Sequence, residues 1–283
     1  MNHATAITAA PLQTTATATA GPVTKAKWAL TRLALRTIGT LSDGVRIGYR
    51  HGFDSGTMLD YVYRNEPGGR WGVGRLIDRV YLNAVGWRAI RARRALLTDV
   101  LRTEIERRED VVRILDVAAG PGRYLQDLAA DQPHRARILC RDLADHGLRR
   151  GAAQAAERGL DNIRYEQGDA FDPAPAPFLD GPPDVIVVSG LYELILSEHR
   201  IQASMRRLRA LLAPGGVLVF TTQEHHPQLD FIANVLPNRD GDPWVMECRP
   251  ARTTEQWARD AGFTGTASTR EEVGLFAVTR AEG

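Results

Sequence analysis

Cysteine is nearly absent. Cys140 and Cys248 are the only two in 283 residues, too few for a disulfide framework and without metal-ligand spacing. They predict a reduced, cytoplasmic protein in which both thiols are core residues. Long hydrophobic runs are missing too: residues 185–188 form one of the longest, far short of the ~20 a membrane span requires. No charge of one sign dominates, with 36 Lys+Arg against 34 Asp+Glu and a net charge of +2. Duplex nucleic acid is therefore not an expected partner. Residues 1–24 contain no Lys or Arg and no apolar block of signal-peptide length. Their low-complexity Ala/Thr composition predicts a disordered tail.

What is present divides in two. From Trp28, the residues Leu30, Leu33, Ala34, Ile38 and Leu41 recur at helical spacing. A Gly- and aromatic-rich stretch follows over 49–63. An Arg-laden helical pattern then runs over about 76–109, with Ile90, Leu97, Leu101 and Ile105 in one stripe. These residues, 25–109, are expected to form an N-terminal helical cap. The cluster Arg88, Arg91, Arg93 and Arg94 is diluted by neighbouring acids and reads as a solvated helix face. From residue 110 onward the rhythm changes. Short β-rich runs at 112–117, 136–140, 162–165, 185–189, 216–221 and 274–279 alternate with helical patterns such as 148–159 and 198–212. That alternation predicts an α/β domain over 110–283, with a mostly parallel, doubly wound sheet covered on both faces. The Pro-rich segment 172–183 reads as a loop near the site.

The sharpest motif is Ile114-Leu-Asp-Val-Ala-Ala-Gly-Pro-Gly-Arg-Tyr-Leu125, a strand entering a glycine turn and a helix. A dinucleotide fingerprint wants a third glycine where Leu125 stands. Asp116 would also oppose a pyrophosphate of like charge. A ligand carrying a sulfonium and an ammonium, S-adenosylmethionine (SAM), suits that carboxylate. Two further strand ends agree: Asp142 is placed to accept from ribose hydroxyls. Asp169 is placed to accept from the adenine amino group, with Ala170 and Phe171 beside the ring.

With Asp116-x-x-x-Gly120-x-Gly122, and Ala118 where a glycine often stands, the sequence resembles the class I SAM-dependent methyltransferases. The segment Leu211-Leu-Ala-Pro-Gly-Gly-Val-Leu218 is similar to the turn before their fifth strand. The resemblance implies a Rossmann-like, seven-stranded sheet whose last strand is antiparallel, and a cofactor site of Asp116, Ala118, Gly120, Gly122, Asp142, Asp169, Ala170, Phe171 and Ser189. The stretches Gly52-Phe-Asp-Ser-Gly56, Leu59-Asp-Tyr-Val-Tyr63, Ser189-Gly-Leu-Tyr-Glu193 and His226-Pro-Gln-Leu229 look like a bacterial methyltransferase family found alone or fused to an α/β-hydrolase. A second, looser resemblance is to azetidine-2-carboxylate synthases, which share a SAM-binding fold under a helical cap.

Tyr192 and Glu193 follow the fourth strand, where methyltransferases place catalytic or substrate-facing residues. No Asn/Asp-Pro-Pro-Tyr sequence supports nucleobase amino-methylation. Tyr61 and Tyr63, beside Asp60 in the cap, could face the sulfonium. His226 is a candidate general base. His225-His226 has no third ligand at suitable spacing, so no metal centre is expected. The reading is methyl transfer from SAM to a small-molecule acceptor. Its alternative is a SAM cyclase, in which the α-amine closes an azetidine ring and expels methylthioadenosine. An RNA-binding module on the same scaffold lacks a basic-aromatic stripe, and NAD-dependent reduction is opposed by Asp116.

Overall fold

A computed structural model of the chain describes residues 13–14 and 21–283. The expected tail, 1–24, lies mostly outside the described residues. Within it, Gln13–Thr14 (β1) forms a two-residue strand, and helix α1 starts at Pro22 rather than near Trp28. The cap helices are α1 (Pro22–Thr37), α2 (Asp43–His51), α3 (Gly56–Arg64), α4 (Trp71–Leu82) and α5 (Val85–Glu106). Serine caps begin two of them. Ser42 Oγ accepts from Val45 N at 3.0 Å and Ser55 Oγ from Met58 N at 3.2 Å, each satisfying an otherwise free helix donor.

The single helical pattern expected over 76–109 is in fact α4 and α5. Ala84, with ψ of 145°, leaves the helical region between them. The apolar spacing continues across the break because Leu82 and Trp87 enter the same cap core, so periodicity alone does not register it.

The remaining elements are β2 (Val112–Asp116), α6 (Arg123–Asp131), β3 (Ala136–Asp142), α7 (Asp145–Glu157), β4 (Ile163–Gln167), β5 (Val185–Val188), α8 (Glu198–Leu211), β6 (Val217–Gln223), α9 (Leu229–Val235), β7 (Glu247–Cys248), α10 (Ala251–Asp260), β8 (Gly265–Arg270) and β9 (Phe276–Glu282). Seven strands form one sheet in the order β4-β3-β2-β5-β6-β9-β8. The first five are mutually parallel, and β9 runs antiparallel to both β6 and β8. Buried parallel strands read as unbroken apolar runs because both faces are covered, as in Val-Ile-Val-Val of β5, all four buried. β1 pairs with β7 in a separate two-stranded ribbon.

Helix α5 straddles the cap and the sheet. Leu97, Leu101 and Ile105 pack on one face of the sheet, while Trp87 and Ile90 join the cap core. That cap core also takes Ile232, Val235, Leu236, Trp244 and Met246 from the chain between β6 and α10. Cys140 and Cys248 are both buried and free.

Candidate cofactor and acceptor site

The carboxyl ends of β2, β3, β4 and β5 converge on a cavity of 240 Å³ that is also lined by α3. The glycine loop between β2 and α6 takes φ of +55° at Gly120 and +63° at Gly122, the left-handed region that favours glycine. Gly122 is the residue that opens α6. Asp142 ties this loop to β3, accepting from Gly120 N and Ala144 N at 2.8 Å each. Asp169 Oδ1 accepts from Phe171 N at 2.8 Å, fixing the turn after β4. Asp116 is fully buried, accepting from Ala118 N at 3.0 Å and from the Tyr124 hydroxyl. Burial pushes its carboxyl up to about 7. Every residue expected to touch the cofactor, Asp116, Ala118, Gly120, Gly122, Asp142, Asp169, Ala170, Phe171 and Ser189, lines this one cavity.

The cap supplies Ser55, Thr57, Asp60 and Tyr63 to the same cavity. Asp60 is buried between Arg123 of α6 and Arg150 of α7, the latter at 2.8 Å. This carboxylate holds the cap across the glycine loop.

A second cavity of 250 Å³ lies under the cap. Its walls include Phe53, Tyr81, Trp87, Phe231, Trp244 and Phe276, and it shares Asp54, Leu59, Arg93 and Gly190 with the first. Trp87 and Trp244 stack with centroids 6.2 Å apart. Arg93 donates to Glu193 Oε1 at 3.0 Å, and both side chains are buried. Burial raises the Glu193 carboxyl against the opposing pull of Arg93. The turn carrying Glu193 is held by buried Arg249, which donates to the carbonyls of Tyr192 at 3.1 Å and Ile195 at 2.8 Å.

The structure separates the five catalytic candidates. Glu193 and His226 line the second cavity and Tyr63 the first. Tyr192 lines neither: its hydroxyl meets Ser204 Oγ at 3.1 Å in the core between sheet and α8. Tyr61 is likewise structural, its hydroxyl donating to Asp78 Oδ2 at 2.5 Å inside the cap. A side chain two residues before a cavity-facing one can point away on a helix, which is what divides Tyr61 from Tyr63.

His226 also departs from the expected base. Burial, then the neighbouring His225, lowers its pKa to about 4, so the ring is neutral at physiological pH. Its Nδ1 accepts from Gln228 N at 3.0 Å, which assigns the proton to Nε2. His226 therefore offers the cavity a hydrogen-bond donor.

The expected solvated face of α5 is wrong at Arg93, which is 2% exposed and reaches both cavities. A signal was present. Arg93 falls between Ile90 and Leu97 at steps of three and four, inside the apolar stripe.

Among the described residues no group of three or more His, Cys, Asp or Glu could hold a metal ion. No helix among them is long and apolar enough to cross a membrane.

The strand order, the antiparallel penultimate position of β9 and the loop-lined cavity together define the class I SAM-dependent methyltransferase fold. A family model described as "Putative methyltransferase" matches residues 2–283, and the chain belongs to that family. It is 41% identical over 255 residues to the "Uncharacterized protein YnbC" of Escherichia coli strain K12, covering 88% of this chain and 44% of that protein. The chain thus spans less than half the length of that relative. Among solved structures, a Bordetella parapertussis protein described as a possible exported protein superposes with a TM-score of 0.64 at 18% identity, over 79% of this chain and 78% of that one. The S-adenosylmethionine-dependent methyltransferase SibL superposes at 0.56 with 18% identity, over 90% of this chain and 76% of its own. Both likenesses concern the fold.

Proposed function

We propose that the chain binds SAM in the first cavity and directs its methyl group to a small-molecule acceptor with an apolar body in the second. One observation carries this reading: two cavities of similar size meet at Asp54, Leu59, Arg93 and Gly190. The donor set fits the cofactor. Buried Asp116 favours a cation over a pyrophosphate, and the loop closes on Asp142 rather than on a phosphate. When bound, the cofactor supplies an electrophilic methyl group on a sulfonium.

The residues then divide the work. Asp142 retains acceptor capacity for the ribose hydroxyls beyond its two backbone bonds. Asp169, Ala170 and Phe171 receive the adenine, and Ser189 with the glycine loop receives the methionine arm. Tyr63 faces the same cavity and gives an aromatic surface to a cation. The cap excludes water, and the cavity junction sets the line of transfer. A separate acceptor chamber supports intermolecular transfer over ring closure within SAM. The experiment is incubation of the protein with SAM alone, followed by mass spectrometry. Intact SAM is the expected result, with S-adenosylhomocysteine (SAH) appearing only when an acceptor is added. Methylthioadenosine release would replace this reading with the cyclase.

A pH dependence follows from Asp116. Its carboxyl sits at about 7 in the free protein, and a cationic ligand favours the ionised form. Proton loss therefore accompanies binding below pH 7, and affinity falls as pH falls. SAM should bind about tenfold more weakly at pH 6 than at pH 8, and Asp116→Asn should flatten the profile. A flat wild-type profile in calorimetry would remove Asp116 from contact with the charged arm.

A further inference from the structure

The cavity junction holds a carboxylate that neither the fold nor the cofactor reading employs. Asp54, between α2 and α3, lines both cavities. Its side chain is 7% exposed, and Oδ1 has no hydrogen-bond partner. Oδ2 has only a long contact of 3.4 Å with Arg239, which is itself 43% exposed. Nearby, Glu193 Oε2 is also buried without a partner, since Arg93 engages Oε1. Two buried acceptors left open against one another's chamber are rare in a folded protein, where such atoms are almost always satisfied. A ligand with several N–H donors would satisfy them.

The pairing of the charged side chains lining the second cavity points the same way: Arg93 engages Glu193 through Oε1 alone, and Asp54 meets only the part-exposed Arg239, at 3.4 Å through Oδ2. The rest of the wall is aromatic, with Phe53, Tyr81, Trp87 and Trp244 offering π-faces that attract cations. An acceptor without N–H or O–H donors would leave Asp54 Oδ1 and Glu193 Oε2 buried without partners.

We propose, building on the methyltransferase reading, that the acceptor is an amine on an apolar body, held at the cavity junction by Asp54. The ammonium gives one proton to Asp54 Oδ1. The nitrogen lone pair so freed forms the new N–CH₃ bond, the S–CH₃ bond breaks with its electron pair remaining on sulfur, and the product leaves as a methylammonium. Asp54 then returns its proton to solvent. In this role Asp54 touches the reacting nitrogen and is a catalytic residue.

The test is calorimetry on the full chain. SAH is titrated first, then three isosteric probes are titrated into the SAH complex: 1-naphthylmethylamine, 1-naphthylmethanol and 1-naphthoate. The amine should bind at least tenfold more tightly than the alcohol, with the carboxylate weakest. Asp54→Asn should erase the difference between amine and alcohol. Trp87→Leu gives an independent arm, weakening the amine more than the alcohol. No binding of the amine, or equal binding of alcohol or carboxylate, overturns the proposal. An equal loss of SAH affinity in Asp54→Asn would assign Asp54 to the cofactor's own ammonium, and likewise overturns it. Failure of SAH to bind the wild-type chain would instead sink the methyltransferase reading, so the two failures are distinct.

Discussion

Asp78→Ala should lower the thermal midpoint of the cap by about 10 °C. Asp78 lies on α4 with no exposed surface, and four donors from three different parts of the cap end on its carboxylate. Ser42 Oγ and Gly44 N reach Oδ1 at 2.5 and 2.8 Å, and Tyr61 hydroxyl and Gly68 N reach Oδ2 at the same two distances. The hydroxyls can rotate toward other acceptors, and Gly68 N also donates to the Tyr61 hydroxyl at 3.2 Å, whereas Gly44 N keeps no acceptor. That stranded donor costs about 1–3 kcal/mol, and the other lost bonds to the carboxylate add about 1–3 kcal/mol more, so the variant loses about 3–5 kcal/mol, near the upper end for single substitutions. At ~2–4 °C per kcal/mol for a chain this long, a circular-dichroism melt resolves the shift easily. Asp78→Asn should fall between, since it keeps one acceptor oxygen and turns a donor toward a donor. A drop below 3 °C for the alanine variant would show that the cap is held by its apolar core alone. The effect reaches function, because α3, which Tyr61 anchors to Asp78, carries Leu59 and Tyr63 to the cavities.

Asp142→Ala should weaken SAM binding about 10–100-fold. Hydrogen bonds to a charged group are worth about 1.5–3 kcal/mol, and two ribose hydroxyls are expected to share this carboxylate. The loss also includes pre-organisation, since Asp142 holds Gly120 N and Ala144 N at 2.8 Å each. Asp142→Asn separates the two contributions. It retains one acceptor oxygen for the loop but removes the charge, so its deficit should be smaller than that of the alanine variant. Titration calorimetry at pH 8 gives both values, and an unchanged dissociation constant would place the ribose elsewhere in the cavity.

How much was legible in the residues depends on where each element is buried. The central parallel strands stand out most clearly: β5 is apolar end to end and β6 is buried at every position, because sheet covered on both faces leaves little room for polar residues. Edge strand β4, by contrast, reads Ile-Arg-Tyr-Glu-Gln with one buried residue. β8 was not foreseen: Gly-Thr-Ala-Ser-Thr-Arg lies at the sheet edge with no fully buried position, so it carries no apolar pattern. The helices α2 and α3 were obscured by Gly44, Gly48, Gly52 and Gly56. At Gly48 the reason is contact, since a Cβ there would lie 2.3 Å from the Phe53 ring. The residues that line the first cavity were readable because each lies at or just after a strand end, a position fixed by topology. The second cavity was not, because its walls meet only in three dimensions. Glu193 and Arg93 are 100 residues apart, and Trp87 and Trp244 stack across 157 residues of sequence.

The far end of α5 bears on the site from a distance. There Glu104, 1% exposed, accepts from Arg280 of β9 at 2.6 Å, Arg108 at 2.7 Å and Arg107 at 2.9 Å. Burial alone would raise its carboxyl, but Arg280 and Arg108 hold it below the usual carboxylate range. At 1.5 Å rise per residue, this cluster stands about 16 Å along the helix from Arg93. The helix is therefore a beam bolted at its rear to the antiparallel strands, with the guanidinium mounted partway along it. Arg93 is further seated over the ring of Phe276, 4.7 Å away on the same strand, β9. Strand β9 thus sets both the pitch of the beam and the aim of the cation it carries, although its ion-pair cluster touches neither chamber.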